Sequence, residues 1–270
     1  MTVTYPLPGL VNPDGRVHLP DQPRWPWWGG PTGPIIRRVL SGGAAASGAS
    51  GVTTLQATPT GQQADDWMLA FVAAVGGVTT ISTPSPGWSE VIPQLTQGST
   101  ITGSLWKKKA GTSEAGPYQW DVTASLRMGI IIVAYSGADP NDVIDVGQTS
   151  IEGTSAQQLD HNSLVPSAPR CWHLLCTASN SAAPDDNLVT LSPPDPYGEQ
   201  AETASTHASN ANVHMDVADR ELPDAGVTGV RTVAITGGVN RQLVGIEAIL
   251  RVPTSMPYPY YQISQYAGFY

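Results

Sequence analysis

Between Val52 and Val252 the apolar residues fall in short runs that favour every second position, and each run closes on Gly, Pro, Asn or Asp. A period of two is the mark of β-strands, and those closing residues are the mark of turns. Val213, Met215 and Val217 alternate with Asn212, His214 and Asp216, which predicts a strand with one dry and one wet face. Val244, Ile246, Ala248, Leu250 and Val252 keep the same period. The run from Trp67 to Ala74 is apolar throughout, as expected of a strand packed on both sides. No apolar stripe at helical spacing exceeds two turns. The expected fold is therefore all-β.

The expected strands are 52–58, 67–75, 78–82, 88–92, 100–108, 118–124 and 128–135, then 170–178, 187–192, 201–207, 211–218, 230–236 and 243–252. The two sets resemble each other. Trp67, Leu69 and Ala73 match Trp172, Leu174 and Ala178; Ile81-Ser82, Pro84 and Pro86 match Leu191-Ser192, Pro194 and Pro196; Met128-Gly129-Ile130 matches Val244-Gly245-Ile246. The offset drifts from 105 through 110 to 116, as small loop insertions would make it do. An internal duplication is the simplest account. It predicts a β-sandwich or jelly-roll-like body at 52–252, built from quasi-repeated halves at about 52–145 and 166–252. Residues 137–165 would join the halves.

Charged residues make up only 13% of the chain and the net charge is −9. A phosphate backbone needs clustered Lys and Arg, and Lys107–Lys109 is the one basic run, so nucleic acid is not an expected partner. The longest apolar runs fall far short of a bilayer-spanning length. The first residues, MTVTYPLPGLVNPDG, have neither the basic start nor the apolar stretch of a secretory signal, so synthesis in a cytoplasm is expected. Cys171 and Cys176, five apart, would sit on opposite faces of a strand and are expected to be buried thiols.

Candidate chemistry is sparse. No G-x-S-x-G elbow exists, Ser50 lies in the small-residue stretch, and Asp160, His161 and Ser163 are too close along one loop to build a triad. Asp139, Asn141, Asp142 and Asp145 put four oxygen-bearing side chains within seven positions, a weak calcium candidate that ordinary turn chemistry also explains. Among the glutamates, Glu247 stands out by lying between Ile246 and Ala248; the solvent face of an edge strand accounts for it equally well. Trp88 and Tyr118, with Trp106 and Trp120 near them, could offer rings to a sugar, although Trp106 and Trp120 suit a core. No cofactor and no enzymatic activity are expected.

Both ends differ from the middle. Residues 1–40 form an arm with eight prolines in its first 34 positions, and it carries Trp25, Trp27 and Trp28, then Ile35, Arg37 and Arg38. Proline forbids regular helix or central strand there, so those indoles need a groove elsewhere. Residues 41–51 hold only Ser, Gly and Ala, the composition of a flexible linker. The tail, 253–270, carries Tyr258, Tyr260, Tyr261, Tyr266, Phe269 and Tyr270 without a charged side chain after Arg251. Such ends are expected to dock, at least one of them on another chain.

The motifs Pro86-Gly87-Trp88, Leu105–Lys109, Gly116-Pro117-Tyr118 and Ala134-Tyr135-Ser136-Gly137, followed by Asp142 and Ile144-Asp145, resemble a β-sandwich module of virion proteins in tailed bacteriophages, above all those infecting actinobacteria. The likeness covers about residues 51–150 and, more loosely, 165–252, and leaves out the arm. It implies a structural virion component, most simply a minor tail protein that assembles through its arm. A capsid decoration or head-fibre protein and a carbohydrate-binding host-adhesion module are the alternatives. The partners implied are other virion proteins, copies of the same chain, and possible host glycan.

Overall fold

The computed structural model describes residues 37–39, 43–46, 51–153, 156–181, 189–205, 212–237 and 241–253, the first two stretches by backbone alone. All of them belong to one compact unit, Pro34–Tyr270. The described residues are all-β, and the body is a pair of stacked β-sandwiches.

The first half contains β1 (Arg37–Val39), β2 (Gly43–Ala46), β3 (Val52–Ala57), β4 (Trp67–Val75), β5 (Ile81–Ser82), β6 (Ser89–Gln97), β7 (Ile101–Lys109) and β8 (Tyr118–Ser136). The second half contains β9 (Ile144–Glu152), β10 (Gln158–His161), β11 (Trp172–Ser181), β12 (Thr190–Ser192), β13 (Gly198–Ala204), β14 (Asn212–Glu221), β15 (Arg231–Thr236) and β16 (Leu243–Leu250). Strand order in the main sheet of the first half is β6-β7-β4-β8, with β1 and β2 on the far side of β8; in the second it is β13-β14-β11-β16-β9. The start of β8 leaves the main sheet and pairs with β3 and β5, just as β15 pairs with β10 and β12. Every strand thus has a counterpart in the other half, with β8 doing alone what β15 and β16 do together, and β1 and β2 together doing what β9 does alone.

The two main sheets pack face to face. Strand β6 lies over β9, β7 over β16, β8 over β14 and β2 over β13. Exchanging each strand for its counterpart returns the same set of pairs, the property of an isologous, two-fold-like interface. Its core holds Leu69, Phe71, Leu105, Ile131 and Val133 from one half and Leu174, Cys176, Val213, Met215 and Ile246 from the other. A second core lies between the first main sheet and its flap, around Trp120, Met68, Val72, Met128 and Ile132. A third lies between the second main sheet and its flap, around Leu175, Leu191, Tyr197 and Val233.

Several expectations change here. β14 has no wet face: Asn212, His214 and Asp216 are as buried as Val213, Met215 and Val217, because the flap covers them. The small-residue stretch 41–51 contains β2, whose Gly and Ala residues pair with Met128–Ile131. The expected connector 137–165 contains β9 and β10, two working strands of the second half. Cys171 and Cys176 are free and buried, and both belong to the central core, because Cys171 precedes the strand. The glycine match is out of register by one. Gly129 pairs with Ala73 and Val244 with Ala178, so the counterpart of Gly129 is Val244 and not Gly245. A one-residue slip reverses the face, and Gly129 accordingly faces the central core while Gly245 faces the flap.

Candidate functional site

The two outer cores have equivalent frames and different contents. In the first half the positions facing the flap are apolar: Met68 and Val72 on β4, Ile132 on β8, Ala57 on β3 and Trp88 before β6. Strand pairing places His173, Thr177, Glu247, His161 and Tyr197 at the matching positions of the second half. A sandwich can be filled without these polar groups, as the first half demonstrates, so they form the candidate site.

Adjacent strands set the geometry. His173 on β11 pairs with Arg220 on β14, and Glu247 on β16 lies opposite Leu175, one step diagonal to His173. The Tyr197 hydroxyl is 2.5 Å from His173 Nδ1, and His173 Nε2 is 3.2 Å from Glu247 Oε2. His161 Nε2 is 3.0 Å from the Thr177 hydroxyl. The guanidiniums of Arg220 and Arg231 lie 5.1 Å and 6.0 Å from the centre of the Tyr197 ring. Gly245 makes room for this cluster: a Cβ there would overlap Leu159 and come within 2.7 Å of the His161 ring.

Burial decides the charge states. His173 and Glu247 are both 0% exposed. Burial pushes the Glu247 carboxyl up to about 8, against a weaker downward pull from a backbone contact at Asn162. Burial holds the His173 imidazole down at about 3, helped by His161, Arg231 and Arg220. His161 is held at about 4 for the same first reason, against the raising effect of Asp160. The pair is therefore neutral. A protonated Glu247 donates to Nε2, which leaves Nδ1–H to donate to the phenol oxygen. Asp216 is also fully buried; among the described residues neither carboxylate oxygen has a hydrogen-bond partner, and Glu202 lies directly across the ladder. Burial first, then Glu199 and Glu202, raises it to about 8. Carboxyl, imidazole and phenol in series can pass a proton, but only Tyr197 and the two arginines approach the surface.

This arrangement fixes a pH dependence. Asp216 and Glu247 bind their protons more tightly folded than unfolded, so each opposes folding as pH rises from about 4 to 8, with a slope of about 1.4 kcal/mol per pH unit. The histidines act in the other direction: unfolded imidazole protonates below about 6.5, and the folded forms do not until about 3 to 4. Glu247→Gln is expected to gain stability relative to the parent chain progressively between pH 5 and 8, and none below pH 4.5. Urea titrations of both proteins across that range check it; a difference independent of pH would contradict the neutral pair.

The other sequence candidates fare differently. Trp88 and Tyr118 are not a surface platform. They are 9% and 4% exposed and meet edge to face at 5.2 Å, with Trp120 at 5.1 Å from Trp88. The flap closes over their rings, so neither presents a face to a sugar. Tyr118 also donates to Glu114, which pairs with Lys108 at 2.7 Å. The aspartate cluster is turn chemistry. Asp139 accepts from the Asn141 amide, Asp142 from the Ile144 amide and Lys107, and Asp145 from Ser167. Among the described residues no group of three or more His, Cys, Asp or Glu side chains converges as metal ligands. Glu247 sits on a strand flanked by β11 and β9, not at an edge, and faces the core. Trp25, Trp27, Trp28, Ile35, Tyr258, Tyr260, Tyr261, Tyr266, Phe269 and Tyr270 lie outside the described residues. Arg37 and Arg38 are placed by backbone in β1, paired with Ser136 and Tyr135.

Sequence reasoning missed the polar core because it read each strand alone. The available signal was the repeat itself: aligning the halves strand by strand sets His173 against Met68 and Glu247 against Ile132. No family model matches the chain, and no curated protein or solved structure matches it significantly. No described helix is long and apolar enough to cross a membrane.

Proposed function

We propose that the chain is a non-enzymatic structural component of a tailed-phage virion, most simply a minor tail protein that assembles through its N-terminal arm. The observation that carries this reading is the division of the aromatic residues. Those of the body, such as Trp88, Tyr118, Trp120 and Tyr135, are consumed by its own cores. Those of the two ends lie before the first described strand and after the last described one, in sequence too rich in proline or too uniform in aromatics to make a core of their own. Aromatic anchors of that kind are what a partner's groove takes up. The virion motifs in 86–145 support the same reading, with sibling virion proteins or further copies of the chain as partners.

The test is incorporation. A tagged chain lacking residues 1–33 keeps every described strand, and its amount in purified particles is compared with that of the full chain by quantitative mass spectrometry. Incorporation is expected to fall at least about tenfold, the loss of a single anchor worth 1.4 kcal/mol or more. Equal incorporation of a chain lacking both 1–33 and 254–270 would overturn the proposal.

A further inference from the structure

In the second half two guanidiniums lie against one ring, and among the described residues no carboxylate pairs with either. Arg220 and Arg231 are half-buried, and the Nε of each is shielded from solvent without a hydrogen-bond partner among the described residues. Among the described residues neither takes part in an ion pair. Among the acids beside them along the strands, Glu221 pairs with Arg170, while Asp219 accepts from Tyr135 and Gln200 and Asp160 accepts from Thr232.

The first half shows the same position in a purely structural form. Lys108 pairs with Met68 as Arg220 pairs with His173, so the two cations are counterparts. Lys108 lies over the Tyr118 ring at 4.7 Å and is closed off by Glu114 at 2.7 Å. In the second half the lysine has become arginine, a second arginine stands where the first half has Tyr118, the ring beneath both is Tyr197 at the position of Trp88, and among the described residues no carboxylate closes off the pair. Two forked donors replace a compensated point charge.

We propose that Arg220 and Arg231, held by the Tyr197 ring, form a binding site for a small oxyanion, the phosphate or carboxylate group of a ligand. The inference stands apart from the assembly proposal, since it concerns the body and not the ends. The end of β14 and the start of β15 bring each guanidinium to the Tyr197 ring at the margin of the third core, where their half-exposure leaves them reachable. The ring fixes both stems, so little side-chain freedom is lost on binding. Behind it, Tyr197 is bonded to His173, whose imidazole the two arginines help to keep neutral. An anion at the arginines offsets that field and makes His173 easier to protonate, which gives a reporter inside the protein.

The test titrates the full chain with sodium phosphate, sodium acetate and sodium chloride at matched ionic strength, following the His173 ring resonance and the melting temperature. A saturable shift and a rise in melting temperature with phosphate or acetate, absent with chloride, is the expected result; which of the two saturates first tells a phosphate ligand from a carboxylate one. Arg220→Gln is expected to weaken binding by about tenfold or more, and Arg220→Lys by less, because the charge stays and the fork goes. Should Arg220→Gln fail to fold, the lysine variant and the anion selectivity of the parent chain decide. Identical responses to all three salts, or unchanged affinity in a folded Arg220→Gln chain, would overturn the site.

Discussion

Replacing Gly129 with valine is expected to destabilise the fold by about 3 kcal/mol, and Met215→Ala is expected to relieve much of that loss. Gly129 on β8 faces β14, where any Cβ would overlap the Met215 sulfur, with a Val213 methyl at 3.5 Å. Met215 is completely buried, so it has nowhere to swing. The contact has a twin. Gly103 on β7 faces Val244 on β16, where an added Cβ would meet a methyl at 3.0 Å. The counterpart of Gly103 is Met215 and that of Gly129 is Val244, so the twin is the same contact seen through the two-fold-like relation. Both hollows lie in the first half and both knobs in the second. Two first halves would leave gaps, and two second halves would collide. This asymmetry directs each half to the other. Met215→Ala alone opens a cavity costing about 2–5 kcal/mol. In the double variant the two losses are expected to fall short of their sum by 1 kcal/mol or more. Denaturant titrations of the four proteins measure it, and strict additivity would contradict direct packing.

Trp120→Ala is expected to cost about 3–5 kcal/mol. The indole is 0% exposed and pairs across the ladder with Leu55. It joins the first flap to its sheet, and Trp88 stands against it at an interplanar angle of 64°. Removing it leaves a void that the flap cannot close, because β3 and β5 are both held to the same stretch of β8. Trp88→Ala should follow at a similar but smaller cost. A surface aromatic platform would behave otherwise, since exposed rings can be truncated within about 0.5 kcal/mol. Thermal and urea unfolding of both variants separates a core role from a binding role.

How much of this was legible in the sequence depends on the strand. β4 reads correctly end to end because nine buried residues in a row leave only one interpretation. β9, by contrast, is an edge strand of half-exposed residues broken by Gly147, and its alternation is too faint to separate from a loop. β2 is invisible for a different reason: Ala and Gly carry no side-chain pattern, and its strand character comes entirely from β8 beside it. The duplication was legible, but the Met-Gly-Ile match misled by one residue because a glycine records a close approach without recording on which face. The polar core at His173, Tyr197 and Glu247 could not be read locally, since a His or Glu on an alternating strand looks the same whether water or a second sheet covers it. The covering flap is a long-range fact, and only comparison of the two halves exposes it.

In the proposed assembly the aromatic ends find their shelter in a companion molecule. Residue-resolved oxidative footprinting of Trp25, Trp27, Trp28 and the tail tyrosines, run on the isolated chain and on assembled particles, tests it most directly. Indoles that react readily in the monomer and are shielded at least about tenfold in the particle are the expected result, as burial at an interface core requires. Equal protection of those residues in a solitary monomer would contradict it.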